Sequence, residues 1–257
     1  MTFEATPPEA TPRSRPRKTK RRVSVIGVIG ELFITAGVLV LLFLGWQLWL
    51  NDIIVGGQQE AEAGELSQSW ERGEGTGSTK PTDPGEPAVM TAPGNAEKFA
   101  VLIVPRWGAD YERSIAEGTG AKDVLNKIGL GHYTGTQMPG EVGNFAVASH
   151  RMAYGGGFKD LHQLQIGDHI YVETQDGWYD YVYRSTEYVL PSGVGVIDPV
   201  PQSPDATAVD RMITLTTCNP FFSTAERLVA YGVYETWYPR AGGPPAEIAG
   251  TVNARSN

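Results

Sequence analysis

Three side chains in the second half of the sequence have the chemistry that acyl transfer needs. Cys218 is the single cysteine of the chain, and it closes a β-rich run that stops at Pro220, so its thiol is expected at a strand end beside a loop. His150 follows another such run, and an imidazole near a thiol can take and return a proton around neutral pH. Arg227 comes nine residues after Cys218, where its planar cation could stabilise an oxyanion.

Each of these residues also has an ordinary structural interpretation. A lone cysteine is often a small buried hydrophobic residue, a histidine at a strand end is often a surface residue, and Arg227 stands beside Glu226 as a surface arginine would. An exposed thiol outside the cytoplasm is open to oxidation, so an accessible Cys218 favours catalysis. The three residues by themselves leave both interpretations open.

The elements that must position these residues are predicted to be mainly strands. Of the 257 residues, 31 are glycine and 18 are proline, which excludes an all-helical bundle and favours strands joined by turns. Short helical turns are predicted at 121–128 and 159–164. Runs rich in valine, isoleucine, tyrosine and threonine predict strands at 99–104, 144–149, 169–174, 178–190, 212–217 and 228–237. This pattern predicts one antiparallel barrel or sandwich.

An apolar segment near the N-terminus is predicted to cross a membrane. Residues 32–50 carry no charge, and 19 residues of helix span about 28 Å, close to the thickness of a bilayer core. No small-residue cleavage site follows, so we predict an uncleaved anchor over 23–50. The basic tail, residues 1–22, precedes an acidic remainder, and the whole chain has a net charge of −8. This asymmetry predicts a cytoplasmic N-terminus and an extracytoplasmic catalytic domain, with no nucleic-acid partner.

Two segments are predicted to be flexible. Gly, Ser, Thr, Pro and acidic residues dominate 51–97, a composition that buries little surface, so we expect an extracytoplasmic linker there. A similar composition predicts a flexible tail over 241–257. The catalytic domain is then expected over 98–240.

The segment around the cysteine resembles a known signature. The run TLTTC at 214–218 matches the TLxTC motif of the sortases, the membrane-anchored cysteine transpeptidases of Gram-positive bacteria. His150 and Arg227 match the other two catalytic positions of that family in order and approximate spacing, and the resemblance covers about residues 99–238. The run GHY at 131–133 and the segment after His150 are most similar to the class E sortases of actinobacteria.

The resemblance implies a mainly β fold, a closed sortase-type eight-stranded β-barrel with short helices behind the transmembrane helix. It implies that Cys218 attacks the Thr–Gly bond of a C-terminal sorting signal, LPXTG or LAXTG-like, and forms a thioester. His150 would then transfer protons and Arg227 would bind the oxyanion. Around the thiol, the residues expected to bind substrate are Thr216, Thr217 and Asn219.

The implied partners are secreted proteins that carry sorting signals and an acceptor amine, from a peptidoglycan precursor or from a pilin lysine. No cofactor is expected, and the spacing of the four histidines matches no compact metal-ligand motif. His132 is left outside the catalytic set, and the loop 191–210 is expected to select the sorting signal. A cysteine hydrolase of the same geometry and a non-catalytic wall-binding β-domain stay open as alternatives.

Overall fold

The described chain comprises residues 24–46, 50–73 and 85–255 of a computed structural model and contains eight strands. The strands are β1 Lys98–Ile103, β2 Glu112–Glu117, β3 Leu130–His132, β4 Gly143–Ser149, β5 His169–Glu173, β6 Gly177–Val189, β7 Arg211–Asn219 and β8 Glu226–Pro239. The α-helices of the described residues are α1 Val25–Gly45, α2 Asn51–Glu71 and α3 Ala249–Ala254. Shorter helical turns lie at Pro105–Trp107, Ala121–Leu125, Leu161–Gln163, Val194–Ile197 and Arg240–Gly242.

The strands close into a barrel in the order β1-β2-β3-β4-β7-β8-β6-β5. β2 pairs with β3 and β4 pairs with β7 in parallel, and all other neighbouring pairs are antiparallel. The predicted closed eight-stranded barrel with short helices is therefore confirmed. A sandwich, which the strand pattern alone allowed, is not formed, because β1 pairs with both β2 and β5 and leaves no free sheet edge there.

The barrel interior is filled by alternate residues of each strand. On β7 the inward side chains include Ile213 and Leu215, and on β4 they include Phe145 and Val147, all in one buried cluster. Because strand side chains alternate between faces, the residues between them point out of the barrel. At the ends of β4 and β7, the next side chain on the outward face therefore lies at the barrel surface.

The six predicted strands are all present, and two further strands complete the barrel. β2 has the sequence ERSIAE and is buried at every position, and β3 has three residues. Neither has the apolar alternation that marks a strand in the sequence. The predicted helical segment 121–128 contains a single π-helical turn at Ala121–Leu125, and 159–164 contains a 3₁₀ turn at Leu161–Gln163.

Helix α1 is long and apolar enough to cross a membrane. It has 21 residues, none of them buried in the structure, and at 1.5 Å per residue it is about 31 Å long. It forms a compact unit separate from the barrel unit. The predicted basic tail, residues 1–22, lies outside the described residues.

Residues 51–97 differ from the predicted flexible linker, because 51–71 form α2 and pack on β2. The helix is rich in Glu and Gln, which favour helical backbone. The residues it buries are Gly56, Gln59, Ala63, Gly64 and Ser67, mostly small side chains that let the helix lie close to the barrel. Residues 85–97 also follow the barrel, where Tyr179 donates its hydroxyl to the Ala88 carbonyl. Residues 74–84 lie outside the described residues.

The predicted flexible tail, 241–257, is also wrong over its described part. Ile248 and Val252 are buried against Tyr171 and Trp178, and the last described residue, Arg255, donates to Glu173 Oε2 at 2.9 Å. The composition of the tail does not indicate these contacts, because a few side chains, among them these three, are enough to fix the short helix to the barrel. The folded unit therefore includes α2 and α3 as well as the barrel.

Candidate active site

Cys218 and Arg227 lie opposite each other on adjacent strands. β7 and β8 are antiparallel, and their register pairs Cys218 with Arg227. Directly opposed residues of an antiparallel pair have their side chains on the same face, about 5 Å apart at Cβ. Both side chains are half-buried, and both belong to the outward series of their strands. The strand register thus brings the thiol and the guanidinium to the same patch of the barrel surface.

His150 reaches the same patch because β4 and β7 are parallel. Their last registered pair is Ala148 with Thr216, two outward residues. Two residues further along each strand lie His150 and Cys218, which therefore leave the sheet side by side and on the same face. A hydrogen bond of 2.8 Å from Thr217 Oγ1 to the Ser149 carbonyl ties the two strand ends together.

His150 and Cys218 line one open cleft of about 460 Å³. The remaining lining comes from the loops after β4 and β7 and consists of Arg151, Met152, Pro220, Phe222, Ser223 and Thr224. The volume is within the range of ligand sites in proteins, and the lining mixes apolar with charged groups. A peptide could therefore bind across the thiol and the imidazole together.

The His150 imidazole has a defined set of neighbours. Its Nε2 lies 2.8 Å from Asn126 Oδ1, and its ring packs on the Tyr154 ring with centroids 5.3 Å apart. Burial lowers the pKa of His150 from its ordinary value, and the negative charge of Asp52 partly opposes that shift. Because an amide oxygen only accepts, Nε2 carries the proton in this contact and Nδ1 is left for exchange with another group.

The Arg227 guanidinium lies against the turn that precedes β8. Its Nη1 donates to the Thr224 carbonyl at 3.0 Å and to the Glu226 carbonyl at 2.9 Å. A guanidinium has five donors in one plane, so these two contacts orient the group and leave donor capacity for a ligand. Thr224 also lines the cleft, which places the guanidinium contact at the cleft wall.

The residues beside the thiol have internal partners. Thr217 is 2% exposed and Thr216 is 3% exposed, and the Thr216 hydroxyl contacts Tyr133 Oη at 2.9 Å. Neither threonine lines the cleft. Their burial favours a role in holding the strand ends, and their predicted contact with substrate stays a prediction.

Asn219 is half-buried, and both the oxygen and the nitrogen of its side-chain amide form hydrogen bonds. Its Oδ1 accepts from Arg151 Nη1, and its Nδ2 donates to Glu226 Oε2 at 2.8 Å. The Arg151 guanidinium also lies 4.1 Å from the centroid of the Phe221 ring, a favourable cation–π arrangement. Asn219 thus connects the loops after β4 and β7, and its predicted contact with substrate also stays a prediction.

Sequence reasoning missed two residues that act on His150, namely Asn126 and Asp52. Asn126 is 24 positions away in sequence, and Asp52 lies in the segment predicted to be a flexible linker. Neither position carries a local motif, so no sequence signal identifies it. Arg151, by contrast, follows His150 directly in the sequence, and that adjacency could have marked it as a site residue.

Two other groups of titratable residues lie away from the cleft. His132 is fully buried, with Nδ1 2.6 Å from Glu117 Oε2, and its ring stacks on Phe145. Among the described residues, His169, Asp180 and Glu235 form a group with possible metal-ligand atoms within 4.8 Å of one another. The Nδ1 of His169 is engaged by Asp180 Oδ1 at 2.8 Å.

Comparison with known proteins places the chain among the sortases. A family model described as the sortase domain matches residues 102–235. Sortase SrtE1 of Streptomyces coelicolor is 37% identical over 244 residues, which cover 92% of this chain and 65% of that protein, so the chain spans less than two thirds of this relative.

Solved structures give the same result. The SrtA sortase from Actinomyces oris is 43% identical with a TM-score of 0.60, covering 66% of this chain and 96% of that one. Sortase E1 from Streptomyces coelicolor, solved with a tripeptide in the active site, is 38% identical with a TM-score of 0.56, covering 62% of this chain and 99% of that one. From the barrel, the TLTTC strand and these similarities together, we conclude that the chain belongs to the sortase family.

Proposed function

We propose that the chain is a membrane-anchored transpeptidase that cleaves a C-terminal sorting signal between threonine and glycine and joins the threonine carbonyl to an amine of the cell-wall precursor. The observation that carries the proposal is the strand register that aligns Cys218 with His150 and Arg227 on one patch of the barrel surface, where Cys218 and His150 line a cleft. A nucleophile, a proton carrier and a fixed cation are the groups that acyl transfer through a thioester requires.

In the first half of the reaction the Cys218 thiolate attacks the threonine carbonyl. The carbon–sulfur bond forms as the carbonyl oxygen becomes an oxyanion, which the Arg227 guanidinium stabilises by hydrogen bonds. Collapse of this intermediate re-forms the carbonyl and breaks the Thr–Gly bond. The leaving glycine amine takes a proton from the His150 imidazolium, and the threonine is left as a thioester on Cys218.

In the second half the acceptor amine attacks the thioester and gives a proton to His150. The new amide forms as the thiolate leaves, so the enzyme returns to its starting state. Throughout, Asn126 Oδ1 accepts from Nε2–H of His150 at 2.8 Å, which keeps Nδ1 as the nitrogen that exchanges the proton. Asn126 is thus a positioning residue for the imidazole.

The loop between β6 and β7 is proposed to select the sorting signal. It packs Val196 on Val229 and Tyr231 of β8. Because every second side chain of a strand points to the same face, these two residues lie on the same face as Arg227. Asn144 holds the loop by donating to the carbonyls of Val196 at 3.2 Å and Asp198 at 3.0 Å. A loop fixed on the face that carries the cleft residues is suitably placed to contact the residues that precede the scissile bond.

Helix α1 is proposed as the anchor, with the basic N-terminus in the cytoplasm and the barrel outside. Its length and composition support a single membrane span. The arginines and lysines before it support this orientation through the excess of positive charge on cytoplasmic sides.

The proposal is tested with the full chain in detergent and peptides that contain an LPXTG or LAXTG signal. The peptides are incubated without an amine, with an oligoglycine or diamino-acid amine, and with a peptide lysine, and the products are identified by mass spectrometry. A ligated product that depends on the first type of amine supports the proposal. Cleavage with no ligation indicates a hydrolase, ligation to lysine alone indicates a pilin-polymerising enzyme, and binding without reaction indicates a non-catalytic domain.

Replacing Asn126 with alanine is expected to lower the rate of transfer by about tenfold. The change removes the acceptor that orients His150, and one hydrogen bond to a group that becomes charged contributes about 1.5 kcal/mol. The rate is measured by the peptide assay at saturating amine. Asn95→Ala is the matched control, because Asn95 donates to Asp123 at 2.7 Å beside the same helical turn and does not touch His150. Equal rates in the two variants would contradict the role of Asn126.

The imidazoles of His150 and His169 are expected to titrate on opposite sides of the ordinary histidine pKa of about 6.5. Burial lowers the pKa of His150, so it loses its proton below that value. Burial also opposes the charge on His169, but the hydrogen bond and charge of Asp180, with Glu247 and Glu235, outweigh burial and raise its pKa. NMR titration of the histidine-labelled full chain, with signals assigned by His150→Gln and His169→Gln variants, measures both midpoints. A His150 midpoint above that of His169 would contradict this description of the site.

A further inference from the structure

The loop that follows His150 has an unusual backbone. Four consecutive residues have positive φ, namely Ala153 at 65°, Tyr154 at 52°, Gly155 at 90° and Gly156 at 51°. Two of the four carry a Cβ and therefore occupy the left-handed region against their preference. The loop is closed by a hydrogen bond of 3.1 Å from the Phe158 N–H to the His150 carbonyl. A turn of this kind persists only where surrounding groups hold it.

The carboxylate of Asp52 is one of the groups that hold the turn. Its Oδ2 accepts from the Ala153 N–H at 2.8 Å, and its Oδ1 accepts from the Gly155 N–H at 3.4 Å. Backbone N–H groups of residues in such turns converge on one side and form a binding site for an anion. Asp52 fills that position from the first turn of α2.

The same face of α2 makes a second contact with the surroundings of His150. Gln59 is two helical turns after Asp52, and its Nε2 donates to the Tyr154 carbonyl at 3.0 Å and to the Lys127 carbonyl at 3.4 Å. Lys127 follows Asn126, the hydrogen-bond partner of His150, and the Tyr154 ring packs on the His150 ring. The helix therefore touches both segments that contact the imidazole.

We propose that α2, through Asp52 and Gln59, is a positioning element for the His150 imidazole in acyl transfer. Asp52 holds the turn that presents the Tyr154 ring, and Gln59 joins that turn to the segment that presents Asn126. With both segments in place, the imidazole keeps the orientation in which Nε2 donates to Asn126 and Nδ1 is turned to the proton-transfer path. This inference rests on the proposed function, in which His150 is the proton carrier.

The test compares three variants of the full chain in detergent. Asp52→Ala removes both hydrogen bonds to the turn, and Asp52→Asn keeps one oxygen acceptor but removes the charge. Glu62→Ala is the matched control, because Glu62 is an acidic residue of the same helix that pairs with Lys98 on β1. Each variant is measured for kcat and KM in the peptide transfer assay, for thermal stability, and by NMR of its labelled histidines.

Asp52→Ala is expected to lower kcat about tenfold, which corresponds to about 1.4 kcal/mol, with KM for the peptide changed less than twofold. Asp52→Asn is expected to fall between Asp52→Ala and the wild type, and Glu62→Ala to match the wild type. A further downward shift of the His150 titration midpoint is expected in both Asp52 variants, because both remove the negative charge that opposes the effect of burial, whereas faster exchange of the His150 Nε2–H proton is expected in Asp52→Ala. A merely structural role would lower stability without these changes at His150.

Two results would overturn the proposal. One is an Asp52→Ala protein with wild-type kcat and an unchanged His150 spectrum. The other is an Asp52→Ala protein whose loss of activity is fully matched by Glu62→Ala. If the wild type itself transfers no peptide, the proposed function fails, but the His150 spectra still decide whether α2 positions the imidazole.

Discussion

Replacing Cys218 with alanine is expected to abolish both cleavage and ligation of a sorting-signal peptide, with a rate reduced by roughly a thousandfold or more. The chain has a single cysteine, so no second thiol can take over the attack on the carbonyl. Cys218 lies half-exposed in the cleft rather than in the barrel interior, so its loss leaves no cavity in the core. The rate is measured by mass spectrometry of the products, with thermal unfolding as the check on folding.

The matched controls for this prediction are Cys218→Ser and Thr224→Ala. The serine variant keeps the size of the side chain but replaces the thiol by a much weaker nucleophile, so it is expected to be nearly as inactive as the alanine variant. Thr224 lines the same cleft, and its truncation keeps the backbone carbonyl that accepts from Arg227, so the rate is expected to change only modestly. Wild-type turnover by Cys218→Ala would remove the thioester mechanism.

Replacing Glu173 with alanine is expected to lower the free energy of unfolding by about 3–5 kcal/mol. The Glu173 side chain is fully buried, and its Oε1 accepts from Ser67 at 2.6 Å and from Arg240 at 2.9 Å. Its Oε2 accepts from Arg255 at 2.9 Å. Removal of this carboxylate leaves two largely buried guanidinium groups without their shared partner and releases contacts to α2 and to the chain end after α3.

Chemical denaturation of the full chain, followed by tryptophan fluorescence, measures this effect. Glu62→Ala is the matched control, because its ion pair with Lys98 lies at the surface and exposed pairs contribute about 0–1 kcal/mol. A loss in Glu173→Ala no larger than in Glu62→Ala would show that the buried charges do not anchor the helices to the barrel.

The strands that the sequence predicts are those marked by runs of apolar, β-branched and aromatic residues. β7 alternates between apolar and threonine residues, and its end at Asn219-Pro220 is marked by a residue that cannot extend the strand ladder. β2 has no such pattern, because the buried residues Glu112 and Arg113 pair with side chains of other segments rather than with solvent. Glu112 pairs with Arg255 and Arg113 with Glu60, and these partners come from distant parts of the chain. Local composition carries no information on them.

For a related reason, the sequence does not predict helix α2. Apolar side chains at helical spacing identify an amphipathic helix, but the buried face of α2 is made of small and polar residues such as Gly56 and Ser67. Small residues at this spacing also occur in flexible linkers, and composition alone favours the linker. Only the polar partners on the barrel, among them Glu173 for Ser67, distinguish the two.

Cys218, His150 and Arg227 could be proposed from the sequence because each stands at the end of a recognisable strand and matches a family position. The register of β4, β7 and β8 then brings them together. Asn126 and Asp52 could not be proposed, because their link to His150 exists only after the chain has folded. The groups proposed to react could thus be predicted from the sequence, and the groups proposed to orient them require the structure.

The most direct test of the proposed mechanism is the site of acylation. The full chain is mixed briefly with a sorting-signal peptide in the absence of amine, quenched in acid, digested and mapped by mass spectrometry. The expected product is a thioester between Cys218 and the peptide up to its threonine, which disappears when amine is added before the quench. An adduct on another residue, or amine-dependent ligation with no acylated Cys218 in a single turnover, would contradict the mechanism.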